Sequence, residues 1–196
     1  MKSQQKLLLT TGVVLSTVFV WLLLFVQQLH QPSLPILGLI PNFKLYDTTG
    51  KEFTLKELKD NIFVTDFIFT TCAGICPMMS QNMSELYNSH LSEPNIEFVS
   101  ISVNPEYDSP QILAQYAKRY RADTNKWHFL TGAREEITNL TVNGFKIGTI
   151  EEPTMHSGYF VLVDKKSRIR GYYDGTKADG MKKLADNIAL LLREKN

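Results

Sequence analysis

Cysteine is nearly absent from this chain: its 196 residues hold two, Cys72 and Cys76. A disulfide-stapled mini-protein needs more, and a zinc site built from cysteine alone needs four thiolates. An excess of charge of one sign is also missing. With 21 Lys and Arg against 20 Asp and Glu the net charge is +1, so no basic surplus argues for nucleic acid and no acidic tail for a charged partner. There is no internal repeat and no low-complexity segment. Hydrophobic residues at 43% and charged residues at 21% exclude a disordered or collagen-like chain. What is left is one domain of ordinary size with something short attached. Two thiols four positions apart within it point to redox chemistry or a soft metal.

A long stretch also lacks charge altogether. After Lys2 and Lys6 no Asp, Glu, Lys or Arg occurs until Lys44. Inside that gap Leu7 to Val26 is built of Leu, Val, Phe and Trp, broken by Thr10, Thr11, Gly12, Ser16 and Thr17. As a helix it would span roughly 30 Å, the thickness of the hydrocarbon core of a bilayer. A cleaved signal peptide has a shorter apolar stretch and a small-x-small cleavage site. Here Gln27-Gln28-Leu29-His30-Gln31-Pro32 follows instead, so the expectation is a retained single-pass anchor. Lys2 and Lys6 keep the N-terminus in the cytoplasm and put the rest of the chain outside. The sequence therefore divides into a cytoplasmic N-terminus (1–6), a transmembrane anchor (7–26), a stalk (27–41, with Pro32, Pro35 and Pro41) and a folded domain (42–196).

Within the domain, apolar runs alternate with helical patterns. Ile62 to Phe69 is β-branched and aromatic and reads as a buried central strand. Pro77 to Asn88 reads as a helix opened by proline. Ile96 to Val103 is the next strand, and Ser109 as N-cap with Pro110 opens a helix to about Tyr120. Trp127 to Leu130 is a short strand and Arg134 to Val142 a helix. Gly158–Val163 and Arg168–Tyr173 form a hairpin turning at Asp164 to Ser167. Lys182 to Arg193 closes the domain as a helix. Phe43–Leu45 and Lys51–Phe53 suggest a further N-terminal hairpin. This order implies an α/β fold, a thioredoxin-like mixed sheet with helices on both faces.

The chemistry concentrates at Phe67-Ile68-Phe69-Thr70-Thr71-Cys72-Ala73-Gly74-Ile75-Cys76-Pro77. A strand ends, a short loop carries two thiols, and proline starts a helix. Cys76 stands where a helix dipole favours thiolate, and thiolate serves both disulfide exchange and soft-metal binding. Gly74 lets the loop bring both sulfurs round one ion. A structural disulfide over so short a loop would restrict the unfolded chain little, which favours a functional pair. The second signal is His156, just before the strand Gly158–Val163. In a thioredoxin-like fold the turn entering this late strand lies against the dithiol loop, where an imidazole would be a third ligand. Met78, Met79 and Met83 follow the loop at helical spacing and read as core, with Met155 as a weak extra ligand. His30, His90 and His128 have no partner pattern, and Asp164 reads as a turn former.

These motifs together resemble the Sco/SenC family of copper-binding oxidase assembly proteins. The resemblance rests on the anchor, the F-x-F-T-x-C-x3-C-P loop at Phe67 to Pro77, and S-V-x-P-E-x-D-x-P at Ser102 to Pro110. It continues with W-x-F-L-T-G at Trp127 to Gly132 and the H-S-x3-L-V-D-type segment from His156 to Asp164. It implies copper, Cu(I) or Cu(II), held by Cys72, Cys76 and His156. It also implies as partners cytochrome c oxidase subunit II and a copper donor protein, and an address on the outer face of a bacterial inner membrane. The chain departs from the family pattern at Ala73-Gly74, where Pro-Asp is common, and at Asn104, where Asp is usual.

Two functions of different class fit. One is a copper metallochaperone for the binuclear centre of subunit II. The other is a membrane-anchored thiol-disulfide oxidoreductase acting on that subunit's cysteines through the pair Cys72 and Cys76. Only the first needs His156. A peroxidase of the same fold is excluded, because Phe69 and Ala73 stand where its threonine would precede Cys72 or Cys76.

Overall fold

The central strand is the one that the apolar run Ile62 to Ile68 builds: all seven of its residues are buried, as a strand covered on both faces requires. It belongs to a computed structural model that describes residues 12, 15–22, 33–148 and 158–194. The chain divides into two units, Met1–Ser33 and Leu34–Asn196. In the first, residues 15–22 are helical with exposed side chains. Among the described residues no helix is long and apolar enough to cross a membrane; the expected anchor, Leu7 to Val26, lies partly outside them.

The second unit runs β1 (Gly38–Leu39), β2 (Lys44–Tyr46), β3 (Glu52–Thr54), a 3-10 turn (Leu55–Leu58), β4 (Ile62–Ile68), α1 (Cys76–Ser89), β5 (Ile96–Ser102), α2 (Pro110–Arg119), β6 (Trp127–Leu130), α3 (Arg134–Asn139), a π-helical turn (Leu140–Gly144), β7 (Tyr159–Val163), β8 (Arg168–Asp174) and α4 (Ala178–Arg193). Six strands form one sheet in the order β1-β8-β7-β4-β5-β6. Strands β4, β5 and β6 are parallel, whereas β7, β8 and β1 run antiparallel to their neighbours. The sheet is thus mixed and thioredoxin-like, as the element order implies. Strands β2 and β3 make a separate hairpin, joined to the end of β6 by a bridge between Tyr46 and Thr131. Strand β1 lies inside residues that read as stalk.

Side-chain alternation along β4 sends Ile62, Val64 and Ile68 to one face and Phe63 and Phe67 to the other. The first face packs with Met79, Met83 and Leu86 of α1, Leu113 and Tyr116 of α2, and Leu184 and Ile188 of α4. The second packs with Phe43, Leu45, Phe53, Ile137, Leu140 and Phe145. Helix α1 buries Cys76, Met79, Ser80, Met83, Leu86 and Tyr87, the three-and-four spacing of an amphipathic helix. Ser109 caps α2, its hydroxyl accepting the Ile112 N–H at 3.4 Å, with Pro110 in the first turn.

At the end of the sheet beside the β7–β8 turn, the buried Arg170 gathers distant backbone. It pairs with Asp164 at 2.8 Å and Glu194 at 2.9 Å, and donates to the carbonyl of Leu34 at 2.8 Å. Asp164 also accepts the N–H groups of Lys166 and Arg168, and so shapes the hairpin turn as expected.

Candidate metal centre

Strand β4 ends at Ile68, and the chain turns at once, the Cys72 N–H donating to the Phe69 carbonyl at 3.1 Å. Four residues later α1 begins: Ile75 is its N-cap without a side-chain bond, and its carbonyl accepts the Met79 N–H at 2.9 Å. Between them the Gly74 N–H donates to the Cys72 sulfur at 3.4 Å. Both cysteines are free thiols, Cys72 partly exposed and Cys76 buried. Each thiol shifts the acidity of the other, so the two side chains are neighbours at the loop.

Their acidities diverge. Partial burial would raise the Cys72 thiol, but backbone donors at Cys76, Gly74 and Ile75, with the Cys76 thiol, outweigh it and hold it below the ordinary value. Burial instead pushes Cys76 up to about 12, and the neighbouring Cys72 and Asp66 push the same way. The sequence expectation that the helix N-terminus makes Cys76 the thiolate is therefore corrected. Cys76 is 1% exposed, and loss of water outweighs a dipole contribution of at most about 2 kcal/mol. Cys72 is the thiol poised to ionise.

Asp66 is a further group of the site that the sequence reading missed. It is fully buried within β4; its Oδ1 accepts the Ser100 hydroxyl at 2.6 Å, and Ser100 accepts the Trp127 indole N–H at 3.0 Å. Among the described residues its Oδ2 has no hydrogen-bond partner. Burial raises its carboxyl to about 7, against the Ser100 hydrogen bond. An acidic residue inside a run read as fully buried was the available signal.

His156 and Met155 lie outside the described residues, as does His30. Gly158, two positions after His156, lies beside the dithiol loop: a Cβ there would sit 3.5 Å from Ile75 Cδ1. Met79 and Met83 are core residues, while Met78 is 42% exposed. His128 meets Glu97 at 3.2 Å, and His90 Nδ1 lies 2.8 Å from the Leu86 carbonyl. Among the described residues no three His, Cys, Asp or Glu form a metal-binding group. Among the described residues the loop offers the two cysteine sulfurs as soft donors, and these suit a soft metal such as Cu(I) over hard, oxygen-seeking ions.

This chain is similar to known proteins. The SCO1/SenC family model matches residues 37–193. The SCO1 protein homolog of Bacillus subtilis is 32% identical over 142 residues, covering 69% of this chain and 73% of the relative. Among solved structures, BsSco, described as a member of the Sco family of cytochrome c oxidase assembly proteins with a disulfide switch, is similar. Its TM-score is 0.72 at 27% identity, over 84% of this chain and 100% of that one. Yeast Sco1 with copper bound superposes with a TM-score of 0.61 at 25% identity, over 78% of this chain and 93% of that one.

Proposed function

The chain belongs to the SCO1/SenC family, and on that premise we propose that it is a copper metallochaperone supporting assembly of the binuclear copper centre of cytochrome c oxidase. Copper is its cargo, held by Cys72, Cys76 and His156. The observation that carries the reading is the pair of free, neighbouring thiols on one loop, one of them with its pKa held below the ordinary thiol value. Two sulfurs give most of the affinity for Cu(I), and an added imidazole completes a trigonal site and accommodates Cu(II). The copper bound in the yeast Sco1 structure supports this choice of metal. In this account Leu7 to Val26 anchors the chain in a bacterial inner membrane, with the thioredoxin-like unit on the periplasmic side facing oxidase subunit II and a copper donor protein.

One observation favours a second reading, thiol-disulfide exchange. An accessible low-pKa thiol beside a buried high-pKa one is an attacking and resolving pair. The Cys72 thiolate would attack a partner disulfide, releasing one partner thiolate. Cys76 would then give up its proton and displace the second, leaving a Cys72–Cys76 disulfide and a reduced dithiol on the partner. The disulfide switch described for BsSco supports this reading.

Copper stoichiometry of the purified, reduced chain tests the primary reading. We expect one Cu(I) per chain, with Cys72→Ser or Cys76→Ser each lowering affinity at least about a hundredfold. Unchanged affinity in either variant places the metal elsewhere.

A further inference from the structure

Beside the dithiol loop lies a carboxylate that neither reading uses. Asp108, between β5 and α2, is completely buried. Its Oδ2 accepts the Thr70 backbone N–H at 3.1 Å and the Ser102 hydroxyl at 2.6 Å, and its Oδ1 accepts the Thr70 hydroxyl at 2.5 Å. All three of these donors are neutral. Ser102 is itself fixed, accepting the Asn104 N–H at 3.1 Å, and the Asp108 N–H donates to the Asn104 carbonyl at 2.9 Å. The Val103 N–H donates to Ile68 at 2.8 Å, tying the same segment to the end of β4.

Burying a carboxyl group is unfavourable unless its oxygens are hydrogen-bonded, so what it holds is informative. It holds Thr70 at both of its donors. Thr70 is two residues before Cys72, inside the turn closed by the Cys72–Phe69 bond. Cys76 is placed separately, by the first turn of α1. The position of one sulfur relative to the other therefore depends on this turn, and the turn on Asp108.

We propose that Asp108 is the positioning residue of the dithiol loop, its grip on Thr70 setting the distance and orientation at which Cys72 meets Cys76. The consequence for copper rests on the reading above; the consequence for the thiol pair does not. A carboxyl suits the task because its two oxygens accept from both donors of Thr70 at once.

The test uses the full chain in detergent and four variants: Asp108→Ala, Asp108→Asn, Thr70→Val and the double variant Thr70→Val/Asp108→Ala. One readout is Cu(I) affinity, by competition with a chromophoric chelator. The other is copper-free: the equilibrium in which the dithiol and oxidised glutathione give the Cys72–Cys76 disulfide and two reduced glutathiones. We expect Asp108→Ala to lower both constants about tenfold, which for the disulfide is about 30 mV. Asp108→Asn, whose amide can donate to the Thr70 hydroxyl while its oxygen keeps the other bonds, should recover most of each. Thr70→Val should lower both constants by a smaller factor, and its effect should not add to that of Asp108→Ala. Unmoved constants in folded Asp108→Ala, or additive effects, overturn the proposal. Should Asp108→Ala not fold, an unmoved disulfide constant in Thr70→Val overturns it by itself. A shifted disulfide constant in a chain whose copper affinity ignores the cysteines upholds Asp108 and overturns the copper reading alone.

Discussion

The two cysteines differ in burial, Cys72 partly exposed and Cys76 buried. Cys72 lies in a loop whose N–H groups point at its sulfur, whereas Cys76 is one residue into a helix and under the protein surface. Spacing alone revealed that they meet; which one ionises depended on burial, which the local sequence does not specify. The same holds for Asp66, whose carboxyl is raised from 3.8 to about 7. Because its folded pKa is the higher, the native state binds more protons between those two values, and stability falls as pH rises through that window. At about 1.4 kcal/mol per unit the loss reaches about 4 kcal/mol by pH 8. We predict that Asp66→Asn flattens this dependence in the copper-free chain. Urea denaturation should show variant and wild type alike near pH 4, with the variant more stable by a few kcal/mol at pH 8. Parallel pH profiles would show Asp66 to be charged in the native state.

Elements with a strong internal period were the legible ones. The β4 run, the proline-opened α1 and the Ser109-Pro110 start of α2 all lie within two residues of their expected bounds. Elements specified by distant contacts were not. Strand β1 has only two residues, and its partner, β8, is more than a hundred positions away. Helix α3 was expected to continue to Val142 but becomes a π-helical turn at Leu140. There Gly144 packs against Pro41, and a Cβ would come within 3.1 Å of it. Helix α4 starts four residues before the expected Lys182. Gly180, in its first turn, makes a close approach: a Cβ there would lie 2.1 Å from the Asp174 carbonyl oxygen. Gly180→Ala, favourable by about 1 kcal/mol in an isolated helix, should therefore destabilise the protein by about 1–3 kcal/mol through overpacking. A lower urea midpoint with unchanged slope is the expected result; a raised midpoint would mean that the start of α4 yields freely.

At the scale of the whole molecule, a strand-loop-helix unit supplies two thiols, and the neighbouring strand β7 runs out of the segment that holds His156. The fold class and the family were legible because several spaced motifs agreed, from Phe67-Ile68-Phe69-Thr70 to Trp127-His128-Phe129-Leu130. The buried acids were not, since Asp66 and Asp108 act through partners 34 and 38 positions away. The central claim is that an imidazole joins the two sulfurs around copper, which a pure disulfide reductase would not need. Visible absorption during Cu(II) titration of the full chain, wild type against His156→Ala, tests it most directly. The account predicts an intense thiolate-to-copper band saturating at one equivalent in the wild type. In His156→Ala that band should be lost, while Cys72 and Cys76 still form their disulfide at close to the wild-type rate. An undiminished band in His156→Ala would contradict it.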